Sequence, residues 1–311
     1  MPYPQDPRRY SQGVAAFPAS ASIGPRNPFG LSLMFDLPSS HALQRSNGRA
    51  FAAFAWRHGR AKLADLAQAG SAKLMLPRVH GDVPEAVFLN TSGGLTGGDR
   101  IRFALDVGDG VRLTASTQTA ERAYASNQGA AQMQVSATVG AGGRLDWLPQ
   151  ETILYQACNL QRRTEIDLAE TAACLTCESL VLGRAAMGET LTSARLHDHR
   201  MIRRSGRPVW SETFLLDDAV LSRRDSPALL AGAQALGLVA LVTQGAEDAS
   251  APLLSQPSVA GAQLSASGWD GRCLVRVLAP DGLTLRKQMA QIIKTLSARP
   301  LPRVWLSGGT L

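Results

Sequence analysis

From residue 50 onward the chain is built of short apolar or alternating runs separated by glycine- and proline-rich breaks. Ile101–Val107, Arg112–Thr117, Gln132–Val139, Leu145–Leu148, Thr164–Leu168 and Cys174–Leu182 follow one another at near-even spacing, the pattern of strands with one or both faces buried. Ahead of them, Ala50–Trp56 and Ala61–Leu66 flank Arg57, His58, Gly59 and Arg60, which suits a hairpin with a glycine turn. Lys73–Leu76, closed by Pro77, adds a further short strand. Behind them, Leu191–Arg203 and Pro208–Leu216 are long alternating runs joined at Ser205-Gly206, a second hairpin.

Two stretches read as helices instead. Leu285, Met289, Ile292, Ile293 and Leu296 fall on one face of a C-terminal amphipathic helix that follows the strand Cys273–Leu278 and the turn Pro280-Asp281-Gly282. Ser226-Pro227 has the form of an N-cap and first-turn proline, and Gly237 of a stop, so a short helix is predicted over Pro227–Leu236, with a strand at Leu238–Val242.

Asn90–Arg100, read Asn-Thr-Ser-Gly-Gly-Leu-Thr-Gly-Gly-Asp-Arg, lies between the apolar run Ala86–Leu89 and the strand at Ile101. Its four glycines permit positive φ and close backbone approach, so it reads as a tight corner. No Gly-Lys-Ser/Thr follows, Asp99 would repel phosphate, and a strand rather than a helix comes next, which excludes a P-loop and a dinucleotide fingerprint.

Downstream, Val107-Gly-Asp-Gly-Val-Arg-Leu113 recurs as Val139-Gly-Ala-Gly-Gly-Arg-Leu145, and Gln118 and Gln150 keep the same offset of 32 residues. A third, fainter copy runs from Ala169 to Leu175. A period near thirty built of strand and turn is what stacked β coils produce, since each coil buries its open face on the next. The expected fold is mainly β, a β-helix or solenoid-like stack of short strands with about two helices, rather than a sandwich. Residues 46–311 are expected to form one domain, and residues 1–45, with seven prolines, a flexible arm without a signal-peptide core.

Of 311 residues, 45% are hydrophobic and 18% charged, a globular balance. The net charge of +7 comes mainly from scattered arginines, with only four lysines and no basic stripe interleaved with aromatics, which argues against nucleic acid and leaves a solvated basic surface or one that meets an acidic protein partner. The longest membrane-like run, Leu229–Val242, is short and interrupted by glycine, so a soluble, cytoplasmic protein is expected. Cys158, Cys174, Cys177 and Cys273 follow no secretion signal, and the close pair, three apart on a strand, points to opposite faces, so buried structural thiols are expected.

No Gly-x-Ser-x-Gly elbow accompanies the five histidines. His197 and His199 share one strand face, with Asp198 turned away, which could place two imidazoles on one metal ion or leave a pair of surface histidines. Asp99, Glu121, Glu151, Glu178 and Glu189 stand in or at the ends of strands, where carboxylates do acid/base work, hold a divalent metal, or cap and bridge.

Four stretches in order, Asn90–Asp99, Thr117–Ser126, Trp147–Ile153 and Glu178–Glu189, make the chain resemble the UreD (UreH) family of urease accessory proteins over residues 46–305, including the strand with Arg276, the amphipathic helix and Leu301–Trp305. Arg122 stands where the family commonly has lysine, and Ala125 where it has a basic residue. The resemblance implies a β-helix-like, non-enzymatic chaperone or scaffold that binds urease apoprotein with UreF and UreG and assists nickel insertion, with nickel in transit and no permanently bound cofactor. Asp99, Glu151, Glu178 and Glu189 become candidates for the nickel route. The alternative from another class is a β-helix carbohydrate-active enzyme using Glu151 and Glu178; with 5% aromatics the chain offers few sugar platforms.

Overall fold

The computed structural model describes residues 44–306 except 79–80, 185–186 and 298. The arm expected over residues 1–45 lies outside the described residues apart from Gln44 and Arg45. Strands β1 (Asn47–Arg57) and β2 (Arg60–Ala69) form the first hairpin, whose turn holds His58 and Gly59 at φ 52° and 75°. After β3 (Ala72–Met75) and β4 (Glu85–Asn90), the chain turns the glycine corner and begins to coil.

Strands β5 (Arg100–Val107), β6 (Arg112–Thr117) and β7 (Glu121–Ala123) make one coil, and β8 (Ala131–Val139), β9 (Arg144–Trp147) and β10 (Thr152–Leu154) the next. Strands β11 (Cys158–Leu168) and β12 (Ala173–Leu182) open a third, and β13 (Ala194–Arg204) is laid parallel on β11. Val107 pairs with Val139 and Leu113 with Leu145, so the 32-residue sequence repeat is one coil stacked in register on another. The third copy stacks at a shorter offset: Ala173 pairs with Arg144, and the Thr171 hydroxyl accepts from the Gly142 N–H at 2.9 Å. The result is a β-solenoid of about four turns.

The coils generate two sheets. The first runs β14-β13-β11-β8-β5-β1-β2, where β14 (Arg207–Leu216) is the return arm of the second predicted hairpin. In the second, the parallel part ends at β12, on which β15 (Ala235–Val242), β17 (Arg272–Ala279) and β16 (Gln263–Trp269) are laid antiparallel. The apolar phases of both sheets meet in a core where Phe88 packs on Phe103 and on Trp147, with ring centroids 4.7 and 5.8 Å apart.

Helix α3 (Gly282–Ser297) covers the other face of the second sheet with Leu285, Met289, Ile292 and Ile293, as its period predicts. The closing Leu301–Trp305 segment is tied down by the Trp305 Nε1–H, which donates to the Leu148 carbonyl at 3.0 Å, and by Arg286 of α3 over the Trp305 ring. Cys174 lies in the core between the sheets and Cys177 on the α3 side, confirming opposite faces. All four cysteines are free and buried, and burial pushes the Cys158 thiol up to about 11.

The helix predicted over Pro227–Leu236 is absent. Residues 226–233 make successive turns, with Leu229 and Ala231 N–H both donating to the Ser226 carbonyl, and Ala231 and Gly232 adopt φ 49° and 77°, which no α-helix accommodates. Ala235 and Leu236 instead pair with Val181 and Leu180. Gly237 is no helix stop: a Cβ there would run into the Met289 sulfur and the Leu285 side chain, so glycine lets α3 sit close on β15. The other described α-helices, α1 (Asp218–Leu221), α2 (Ser250–Leu254) and α4 (Arg303–Leu306), are each about one turn. Among the described residues no helix is long and apolar enough to cross a membrane.

Candidate functional site

Where the coils turn between the two sheets, β7 and β10 form a short third edge, and on it side chains from successive coils stack into a ridge. Leu95 bridges Ala123, Thr152 pairs with Glu121 and with Leu180, and the chain leaves β12 at Gly183. At the first level stands the glycine corner. Gly93, Gly94 and Gly98 have φ 80°, 154° and 88°, and a Cβ on Gly94 would strike the Tyr124 ring and the Arg122 carbonyl. The corner is glycine-rich because the next coil lies directly against it.

Tyr124 donates through its hydroxyl to the Gly93 carbonyl at 3.2 Å, and Arg122 Nη1 donates to the same oxygen at 3.3 Å. One coil on, Tyr155 meets Tyr124 edge to face at 5.0 Å. Arg184 lies 4.6 Å over the Tyr155 ring, and its Nε and Nη2 reach the two Glu189 oxygens at 2.9 and 3.2 Å. These Arg184 hydrogen bonds hold the Glu189 carboxyl below its ordinary value. Arginine and tyrosine on a rigid, exposed ridge are the composition of protein contact surfaces rather than of a catalytic centre.

Beneath the ridge, Asn90 Nδ2 donates to Glu121 Oε1 and Oε2 at 3.1 and 3.2 Å. Burial pushes Glu121 up to about 7, against these hydrogen bonds.

A second assembly is sealed between the sheets. Arg162 of β11 donates from Nε and Nη2 to the two Asp198 oxygens of β13 at 3.0 and 2.6 Å, and from Nη1 to the Thr152 hydroxyl at 3.1 Å. Its Nη1 also lies 2.6 Å from Glu178 Oε2 of β12, a buried ion pair. Arg200 adds a second guanidinium to Asp198 and approaches Glu212, which pairs outward with Arg276. Burial pushes Glu178 up; for Asp198, burial acts the same way but the Arg162 and Arg200 charges outweigh it and hold the carboxyl low.

The acidic residues singled out in the sequence are not gathered into one site. Asp99 is buried at the corner's exit, where its carboxylate accepts from the Ser46 and Thr96 N–H groups at 2.7 and 2.8 Å and so closes the turn. Glu189 belongs to the ridge, Glu178 to the sealed network, and Glu151 turns to Arg286 of α3 at 3.4 Å. Glu151 and Glu178 therefore serve opposite sides of the second sheet and cannot flank one glycosidic bond.

His197 and His199 share the outer face of the first sheet while Asp198 is fully buried, as the alternation required. His199 Nδ1 pairs with the Thr213 hydroxyl at 3.0 Å. Among the described residues, no three His, Cys, Asp or Glu side chains converge to hold a metal ion.

Arg162, Arg200 and Tyr155 escaped the sequence reading, which turned Asp198 away from the histidines to the inner face but gave it no partner. A signal was present for both arginines: in β11 and β13 the inward phase runs Leu160, Arg162, Thr164, Ile166 and Leu196, Asp198, Arg200, Ile202, placing charge where apolar residues belong.

Comparison with known proteins agrees with the motif series. The profile of the family described as "UreD urease accessory protein" matches residues 46–306. Urease accessory protein UreD of Cereibacter sphaeroides is 54% identical over 268 residues, which is 86% of this chain and 98% of that protein. The proteins of the same name from Paracoccus denitrificans and Rhizobium leguminosarum bv. trifolii are 46% and 40% identical over 275 and 263 residues, covering 88% and 84% of this chain and 96% of each relative. With its motifs stacked coil on coil and nearly its whole described length matched, the chain belongs to the UreD family of urease accessory proteins, maturation factors rather than enzymes.

Proposed function

We propose that this chain is a cytoplasmic scaffold that binds urease apoprotein together with UreF and UreG and assists the insertion of nickel into the urease active site. One observation carries the reading: three of the stretches that carry the family resemblance supply Gly93, Arg122, Tyr124 and Arg184, which stack with Tyr155, just beyond the fourth, into one exposed ridge. A rigid ridge of this composition suits recognition of a protein partner. Nickel is cargo in this reading. Asp99, Glu151, Glu178 and Glu189 are its proposed carboxylate waypoints, with Asp99 buried in the glycine corner, Glu178 buried beside Arg162, and Glu151 and Glu189 half-buried.

The test is co-expression with the urease subunits, UreF and UreG, followed by affinity capture of this chain and nickel analysis of the urease produced. Capture of UreF and urease apoprotein, with nickel loading that depends on this chain, is the expected result. Capture of neither defeats the scaffold, and unchanged nickel content with alanine at all four carboxylates defeats the route.

A further inference from the structure

The outer face of the first sheet carries chemistry that the ridge and the sealed network do not use. Parallel register aligns side chains across the strands into two rows. In one, Arg100 of β5, Gln132 of β8, Gln161 of β11 and His197 of β13 stand side by side. In the other, Arg49 of β1 and Arg102 precede Gln134, Arg163 and His199. Between them lies a shallow trough of about 310 Å³.

The two rows contain no carboxylate. The acidic residues of this face lie outside the rows: Asp106, Glu165 and Asp167 farther along the same strands, and Asp65 on the edge strand β2 opposite Ala53. Arg163 is engaged there, since its hydrogen bonds hold the Glu165 carboxyl down at about 2. Arg49, Arg100 and Arg102 are exposed and take part in no ion pair among the described residues.

We infer that this strip is a second docking surface, distinct from the ridge, and that its occupant is an acidic polypeptide segment. Charge complementarity selects the acidic character, because three uncompensated guanidiniums sit on one flat face. The glutamines select a polypeptide: each side-chain amide both donates and accepts, as a peptide main chain requires, and no stacking aromatic lines the trough as a single-stranded nucleic acid would need. At about 4.8 Å between strands, the five strands from β1 to β13 span about 19 Å, the length of five to six extended residues. The inference rests on the accessory-protein reading only in taking a protein as the natural partner.

The test uses the full chain and a fluorescein-labelled hexaglutamate peptide, read by anisotropy. Arg100→Glu with Arg102→Glu is compared with Arg57→Glu with Arg60→Glu, an equal charge reversal at the exposed hairpin tip. Wild type should bind, the strip variant should bind at least tenfold more weakly, and the hairpin variant should match wild type after allowance for net charge. Equal weakening in both variants, no binding by wild type, or tighter binding of a hexathymidylate would each overturn the inference. A fall in sedimentation mass on strip substitution would also overturn it, by showing that a second copy of the chain is the occupant. Peptide binding and urease capture are separate readouts, so loss of capture alone counts against the scaffold and loss of peptide binding alone against the strip.

Discussion

Arg162 and Asp198 form a two-pronged ion pair sealed between the sheets, with Nε and Nη2 donating to the two carboxylate oxygens at 3.0 and 2.6 Å and neither side chain more than 2% exposed. Two guanidiniums converge on Asp198, so removing its charge leaves Arg162 with Glu178 alone and Arg200 with the more distant Glu212, two buried cations for which the main counter-charge is gone. Asp198→Ala is expected to lower unfolding free energy by about 3–5 kcal/mol. Urea denaturation measures it, and a loss below about 1 kcal/mol, the range of an exposed pair, would mean that water reaches the network.

Glu121 makes stability depend on pH. Its folded value of about 7 lies above its unfolded value of 4.5, so the folded state holds the proton more tightly. The resulting stabilisation is full below the unfolded value and is lost as pH rises through the folded one, an effect of up to about 3 kcal/mol. Glu121→Gln stays neutral and keeps an acceptor for Asn90. Relative to wild type, it should therefore gain stability between pH 5 and pH 8. Parallel denaturation curves at the two pH values check this, and a constant difference would contradict the raised Glu121 carboxyl.

Gly93 and Gly94 separate two reasons for glycine. Both have φ in the range that disfavours side chains, but a Cβ on Gly93 meets open space while one on Gly94 meets Tyr124 and the Arg122 carbonyl. Gly93→Ala should cost about 1 kcal/mol, from conformation alone. Gly94→Ala adds the displacement of the next coil, for a loss of about 3 kcal/mol or more. Similar melting temperatures for the two variants would refute the steric part.

Much of this was legible in the sequence where the physics is local. The repeat that placed Val107 over Val139 could be read because each coil repeats the same corner chemistry. Gly237 was misread because glycine marks both a helix stop and a strand that another element approaches closely, and only the packed Met289 distinguishes them. Arg162 broke the apolar phase of β11 visibly, but its partners are Asp198 on the adjacent strand β13 and Glu178 on β12 of the facing sheet, separated from it by loops whose lengths no local pattern dictates. The four acidic candidates were singled out by their motifs alone, and sequence order could not tell that Asp99 closes a turn while Glu178 faces the interior.

The ridge yields a prediction in which stability and function part company. The Arg184 side chain packs over the Tyr155 ring and pairs with the turn carboxylate of Glu189, and it is 44% exposed. Solvent screens such a pair, so Arg184→Ala with Tyr155→Phe should leave the melting temperature nearly unchanged, because the phenyl ring keeps its edge-to-face contact with Tyr124. If the ridge recognises a partner, the arginine is the kind of side chain whose loss is felt most, with a decrease of tenfold or more in affinity. The double variant should fold normally and be captured poorly with UreF and urease apoprotein in the co-expression experiment. Normal capture by a folded double variant would move the contact away from the ridge, whereas poor capture by a misfolded one would be exposed by its melting curve.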